Sequence, residues 1–436
     1  MVKSKKTKKE LLAKLGIALQ NEMQLDVEQA ILKNSEVMIS SPTGTGKTLA
    51  FLLPLFEMID DNIDGVQAMI IVPTRELGIQ IEGVIRQMGT GYKTNVVYGG
   101  RTIKKDKIEL AHSPTIIVGT PGRMADHIRR KTFDIDTIRF LVLDEFDKSL
   151  EIGFDADMEE IVQDLRHLER TILTSATTNI DIPRFIKFED PIKLDFHNKD
   201  GAQLALKQFV SPEKDKVDTL YKAICHLGEK SGIVFCNFKE SIKRISDYLT
   251  ERNIEHGIFQ GGMEQQDRER ALIKFRNGTH RLLLATDLAA RGIDIPELDF
   301  ILHYHLPSHK HEFIHRNGRT ARMKNQGAAY LLKWIDEQLP EFILEPPIED
   351  IIEAHPPQHT GWQTVFISGG RRDKISKGDI AGLFIKQGGV DKNDLGVIEL
   401  KEECAFVGVN SSHIEKVVEK VNNTRLKKKK VRIYKI

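Results

Sequence analysis

Short, uniformly apolar runs recur through the first 335 residues, at 68–72, 115–118, 140–143, 233–236, 282–285 and 300–303. Runs of this kind fit strands buried on both faces, and the longer amphipathic stretches between them fit helices. Strand–helix alternation builds parallel sheets from βαβ units. The pattern runs twice, so it predicts one α/β domain over residues 1–197 and a second over 204–335, with a polar hinge near 198–203.

The pattern then changes. Residues 335–358 hold seven acids, no Lys or Arg, and two Pro-Pro pairs. An extended, semi-rigid linker over 336–360 fits that composition. Beyond it, residues 364–368, 395–400, 404–409 and 431–435 read as strands, and 378–386 and 413–421 as helices. This βαββαβ order over 361–436 is that of the RNA-recognition fold. The predicted architecture is therefore two tandem parallel-sheet α/β domains and a small α+β tail.

Composition and charge add three points. No apolar run approaches the roughly 20 residues that a membrane-spanning helix needs. The net charge of +1 conceals a tail of +7 on a body of −6, which suggests a tethered nucleic-acid-binding module. The three cysteines, Cys225, Cys236 and Cys404, have no C-x-x-C spacing and read as reduced thiols of a cytosolic protein. The lysine-rich start reads as a disordered tip before an amphipathic helix, since Lys14 interrupts the apolar stretch that a signal peptide needs.

The strongest local signal is Ser41-Pro-Thr-Gly-Thr-Gly-Lys-Thr48. Gly44 and Gly46 let the backbone turn its amides toward phosphate oxygens. Lys47 neutralises β and γ phosphates, and the Thr48 hydroxyl reaches Mg²⁺. Ser41 stands where the first glycine of such loops is usual. A second signal, Phe140-Leu-Val-Leu-Asp-Glu-Phe-Asp147, delivers acids from the end of an apolar strand. Asp144 is placed to hold Mg²⁺ and Glu145 to orient or deprotonate a water. In His315-Arg-Asn-Gly-Arg-Thr-Ala-Arg322, Arg316, Arg319 and Arg322 share one helix face if the segment is helical, and guanidinium charge suits a transferring phosphoryl group. His311-Glu-Phe-Ile-His315 matches a zinc-protease pattern, but His315 already belongs to the arginine segment, and no metal site is expected there.

With these motifs in order, residues 12 to 335 resemble the DEAD-box RNA helicases of superfamily two. The resemblance implies two tandem RecA-like domains, with ATP and Mg²⁺ as cofactors. It places Gln24 on adenine, Thr43, Gly44, Thr45, Gly46, Lys47 and Thr48 on the phosphates, and Asp294 on the ribose. Arg319 and Arg322 would meet the γ-phosphate. Pro73-Thr-Arg-Glu-Leu77, Gly99-Gly100 and Thr120-Pro-Gly-Arg123 look like RNA-contacting motifs, giving Arg75, Gly100, Thr120 and Arg123. The second domain would add Asn237 and Thr286. Ser175-Ala-Thr177, with Asp147, resembles the segment that couples ATP state to strand separation. The tail segment Phe366-Ile-Ser-Gly-Gly-Arg-Arg-Asp-Lys374 resembles the RNA-binding domain of bacterial DbpA-type helicases, implying large-subunit ribosomal RNA as partner and Arg371, Arg372 and Lys374 as contacts.

Several positions depart from the family. Phe146 replaces a small residue in the Asp-Glu-x-Asp tetrad, the segment around Gln24 lacks the usual prolines, and Asn317 and Ala321 stand where Ile and Gly are common. All the acids are kept, so the chemistry is expected to survive. A ring at Phe146 beside the Asp147–Ser175 contact is the feature that leaves a second reading open, an ATP-dependent RNA clamp with little hydrolysis. In the tail, Phe406 is the one aromatic expected on the open sheet face, Phe366 reads as core, and residues 427–430 read as a disordered or RNA-tracking basic strip. The expected protein is a cytoplasmic, monomeric RNA-stimulated ATPase that unwinds structured RNA and has no membrane partner.

Overall fold

The computed structural model describes residues 5–42, 44–178, 181–186, 188–197, 204–287, 295, 298–320 and 327–436. They fall into two compact units, one carrying the first sheet and the other the second and third sheets. The first sheet contains β1 (Glu36–Ser40), β2 (Ala68–Ile71), β3 (Thr94–Val97), β4 (Ile116–Gly119), β5 (Phe140–Leu143), β6 (Arg170–Ser175) and β7 (Ile192–Asp195). All pairings are parallel, in the order β3-β4-β2-β5-β6-β1-β7. β2, β4 and β5 are buried at every position because helices cover both faces.

The second sheet contains β8 (Leu204–Ser211), β9 (Gly232–Phe235), β10 (His256–Phe259), β11 (Leu282–Ala285), β12 (Phe300–His303) and β13 (Gly327–Trp334), again wholly parallel, in the order β10-β11-β9-β12-β13-β8. Each apolar run noted in the sequence lies on one of these strands to within about one residue.

The tail forms an antiparallel sheet of β14 (Trp362–Ile367), β15 (Leu395–Leu400), β16 (Ala405–Asn410) and β19 (Ile433–Lys435), in the order β15-β16-β14-β19. Helices Lys377–Gly382 and Ile414–Val421 pack on one face, where Val365, Ile367, Val407, Val409 and Ile433 make the core. The alternate positions face away. Phe366 is therefore on the open face, not in the core, and meets Phe406 at 5.5 Å and Tyr434 at 4.9 Å between ring centres. The basic run is also ordered: β17 (Arg425–Leu426) and β18 (Lys429–Lys430) form a hairpin, with Lys427 Nζ 3.0 Å from Asp379 and Lys429 Nζ 2.8 Å from Asp373.

The acidic linker is extended, as its composition suggests, yet it is strapped to the second sheet. The Gln208 amide donates to Pro347 O at 3.0 Å, the Glu349 amide donates to Gln208 O at 2.8 Å, and the Gln208 side chain donates to Pro346 O at 2.8 Å. Several of its acids have partners: Glu337 meets Lys216 at 2.8 Å, and Glu349 meets both Lys207 and His226. Partial burial acts to raise the Glu349 pKa, but hydrogen bonds from Lys207 and His226 hold it below the ordinary carboxylate value. Stability from a carboxylate of lowered pKa is present above its unfolded-state pKa and is lost as pH falls through the folded value. Acidification through the carboxylate range, or Glu349→Gln at neutral pH, should therefore speed proteinase K cleavage within residues 335–358. Unchanged cleavage would contradict a docked strap.

Candidate active site and RNA interface

Parallel pairing sets β5, β6 and β1 side by side with their carboxyl ends at one edge. The chain leaves β1 into the phosphate loop, and helix Lys47–Met58 begins after Gly46, whose φ is +92°. A Cβ at Gly46 would collide with the Gln24 amide, so glycine is required twice over. Gln24 itself caps the helix Glu22–Lys33 jointly with Asn21, and its Nε2 donates to Gly46 O at 3.3 Å. Ser41 is fully buried, and its hydroxyl shares a hydrogen bond of 2.8 Å with Thr45, closing the loop in place of the missing glycine. Lys47 Nζ donates to Pro42 O at 2.8 Å and to Ser41 O.

β5 delivers Asp144 into a buried position, where the Thr174 hydroxyl of β6 donates to it. The Glu145 amide donates to the same hydroxyl at 3.1 Å, and Glu145 takes a left-handed φ of 49° that turns the chain into helix Phe146–Glu151. Lys148 is fully buried with its Nζ 3.0 Å from Glu145 Oε2. Burial pushes the Lys47 ammonium down to about 8, against the opposing charges of Asp144 and Glu145. Burial and the Glu145 charge push the Asp144 carboxyl up to about 6, against the Thr174 hydrogen bond. Asp147 accepts from the Ala176 amide at 3.3 Å and the Thr177 hydroxyl at 3.2 Å, and Ser175 and Thr177 share a hydrogen bond of 3.1 Å. The Phe146 ring is wholly buried in the apolar cluster with Leu143, Met158 and Leu173. Asp147 keeps its contacts beside it.

The candidate RNA contacts of this unit cluster on loops at the same sheet. Arg75 opens helix Arg75–Met88, and a Cβ on Gly100, at φ +90°, would lie 3.0 Å from its Nη1. Thr120 precedes helix Pro121–Arg129, which carries Arg123. What orders these loops comes from a residue that no motif marks. Asp106, with a side chain exposed to 0%, lies 3.1 Å from Arg123 Nε, 3.4 Å from Arg101 Nε and 3.1 Å from His127 Nε2. Arg123 also donates to Arg101 O, joining the Gly99-Gly100 loop to the Thr120–Arg123 turn.

In the second unit, Asn237 Nδ2 donates to Leu306 O at 3.1 Å, and the Thr286 amide donates to Phe259 O at 3.3 Å. The three arginines do not share one helix. Helix Lys310–Asn317 ends at Gly318, so Arg316 lies on it and Arg319 follows it. Arg316 is buried and structural: it donates to Asp287 Oδ1 at 2.6 Å, to Asn237 Oδ1 at 2.8 Å and to His305 O at 2.8 Å. Thr43, Asp294 and Arg322 lie outside the described residues. In the tail, Arg371 and Arg372 form a short turn whose side chains reach Glu402 at 3.4 Å and Glu403 at 2.6 Å, and Lys374 follows at φ 59°. Among the described residues, no three His, Cys, Asp or Glu side chains are grouped to hold a metal ion, and no helix is long and apolar enough to cross a membrane.

A phosphate loop and an acid pair at the ends of the two strands that flank β6, followed by a second parallel sheet, define a P-loop ATPase of the two-domain kind. Residues 21–185 match the DEAD/DEAH box helicase family, 215–324 the helicase conserved C-terminal domain and 364–435 the DbpA RNA binding domain. The chain is 30% identical to the ATP-dependent RNA helicase DbpA of Bacillus subtilis over 97% of its own length and 95% of the relative's. It is likewise 30% identical to DbpA of Escherichia coli, over 97% and 95%. Among solved structures, S. cerevisiae Dbp5 bound to RNA and ADP BeF3 matches with a TM-score of 0.66 and 27% identity, covering 76% of this chain and 88% of that one. The chain belongs to the DEAD-box ATP-dependent RNA helicases of DbpA type.

Asp106 generates a direct test. Removing one member of a buried ionic cluster leaves uncompensated charge, which costs about 3–5 kcal/mol. Asp106→Ala should lower the first unit's stability by that amount in chemical denaturation. A loss within about 0.5 kcal/mol, the usual range of a surface change, would show that the cluster is not a structural tie.

Proposed function

We propose that the protein uses ATP to remodel structured RNA held by its tail, with ribosomal RNA of the assembling large subunit as the natural substrate. The observation that carries this reading is the match of residues 364–435 to the DbpA RNA binding domain, on a chain that also carries a DEAD-box ATPase core. The burial of Phe146 in an apolar cluster, with the contacts of Asp147 to Ala176 and Thr177 kept beside it, favours hydrolysis over the clamp reading.

In this account the loop from Thr43 to Thr48 holds the phosphates, with Lys47 as their counter-charge. Gln24, tied to the loop through Gly46, reads adenine, and Asp294 meets the ribose. Thr48 and Asp144 would hold Mg²⁺, which is suited to one carboxylate, a hydroxyl and phosphate oxygens and would draw charge from the γ-phosphoryl group. Glu145 orients the attacking water and takes its proton. Arg319 and Arg322 offset the charge of the transferring group in the state that ATP and RNA jointly favour. Asp147, with Ser175 and Thr177, relays that state toward the RNA contacts at Arg75, Gly100, Thr120, Arg123, Asn237 and Thr286. Arg371, Arg372 and Lys374 grip the structured RNA, so affinity falls with salt.

Two outcomes test this reading. Rising pH removes the Lys47 charge near 8 and falling pH protonates Asp144 near 6, so kcat/KM for ATP should form a bell between those limits. A profile flat from about pH 5 to 9 would contradict these roles. Replacing Arg371 and Arg372 together by Ala should weaken stimulation by a structured ribosomal RNA about tenfold and leave stimulation by random single strands intact. Equal losses with both RNAs would remove the tail from substrate choice.

A further inference from the structure

Four loops meet at the carboxyl edge of the second sheet. β10, β11, β9 and β12 are parallel neighbours in that order, so the residues that follow them share one edge. Gly261-Gly262 follows β10, Thr286 follows β11, Asn237-Phe238-Lys239 follows β9 and His305 follows β12. Phe238 is 60% exposed, and no aromatic ring among the described residues is more so. A Cβ on Gly262, at φ +89°, would lie 3.1 Å from Lys239 Nζ, so the ammonium next to Phe238 reaches the loop after β10.

Phe238 contributes little to the fold. It is the N-cap of helix Lys239–Thr250 and has the extended backbone of a capping residue, φ −124° and ψ 142°, yet its side chain makes no cap hydrogen bond. Ser, Thr, Asn or Asp at this position would satisfy an orphan helix amide. The ring also stands outside the apolar cluster of its own domain. Its surroundings nevertheless hold it in place. The Asn237 amide donates to His305 Nδ1 at 3.1 Å, and buried Arg316 donates to His305 O and to Asn237 Oδ1, each at 2.8 Å. The His305 ring then meets Phe238 at 5.4 Å between centres, with the planes 75° apart. A fixed, solvent-facing ring between an amide side chain and an ammonium is what stacking of an unpaired base requires.

We propose that Phe238 is a nucleobase-stacking residue, on which one unpaired base of the bound strand lies while neighbouring groups hold the backbone. This rests on the proposed RNA contacts at Asn237 and Thr286. Backbone contacts alone position a strand and leave its bases unread. A ring at Phe238 adds a base contact at one fixed register, tolerant of sequence because every base has a π-face. A base stacked on protein has also left the duplex stack, so binding of the strand and local opening of the duplex become one event.

The test measures affinity of the full-length chain for a short oligoadenylate in the presence of a non-hydrolysable ATP analogue. A matched set of strands, each lacking one base but keeping its sugar and phosphate, locates the stack. The unaltered protein should lose about tenfold in affinity at one abasic position and little at the others. Phe238→Ala should bind the intact strand about tenfold more weakly and be indifferent to the base at that position, whereas Phe238→Trp should keep both affinity and position dependence. Phe238→Thr separates stacking from folding. It completes the helix cap, so the melting temperature should rise while the affinity falls about tenfold. Affinity within about twofold of the unaltered protein in Phe238→Ala or Phe238→Thr would overturn the stack, as would the same abasic profile with and without the ring. If the analogue confers no affinity for any single strand on the unaltered protein, the RNA contacts at Asn237 and Thr286 fail as well. Binding that ignores Phe238 sinks the stack alone.

Discussion

Parallel pairing of β5, β6 and β1 is the constraint on which the ATP site depends. Ser40 pairs with Ser175, and Leu143 with Leu173, so β1 and β6 end level and β5 stops two residues short of them. The next residues along each strand are then the phosphate loop, the acid pair and the Ser175–Thr177 segment. None of these could assemble locally, since the phosphate loop lies about a hundred residues before the acid pair, and the acid pair about thirty before the Ser175–Thr177 segment. The apolar strand interiors stabilise this register by burial on both faces, which leaves polar groups only at the ends. Thr174 shows the result: one hydroxyl, on the residue just before the coupling segment, donates to Asp144 and accepts from the Glu145 amide.

Away from the phosphates, buried ions do the same organising work. Asp106 joins two loops of the first unit, and Arg316 joins Asn237 to Asp287 in the second. Such pairs bring little net stability, because desolvation opposes their attraction, but a broken one is costly. They therefore fix loop geometry. Arg276, at the end of helix Gln265–Arg276, donates to both carboxylate oxygens of Glu399 on β15, at 2.6 and 2.9 Å, and plays the corresponding part between a helix end and the tail sheet.

What was legible in the sequence was whatever depends on neighbours along the chain. The phosphate loop, the acid pair and the apolar strands each occupy a few consecutive residues, and period and composition mark them. The βαββαβ order of the tail was readable for the same reason. The rest depends on partners distant in sequence. Asp106 sits in a lysine-rich helix and belongs to no motif, yet it is buried against Arg123, Arg101 and His127. Arg316 looked like one of three equivalent arginines, but Gly318 ends the helix and separates it from Arg319. Phe366 reads as core on hydrophobicity alone, and only the strand's alternation places it with Phe406 and Tyr434. The linker's acids looked like a solvated spacer because Lys207, Lys216 and His226 lie more than a hundred residues earlier.

The central claim is that ATP turnover in this protein answers to a structured RNA recognised by its tail. The most direct measurement is ATP turnover at matched concentrations of no RNA, random single-stranded RNA and a large-subunit ribosomal RNA fragment. The account predicts strong stimulation by the ribosomal fragment and much weaker stimulation by the random strand. Equal stimulation by the two RNAs, or none by either, would contradict it.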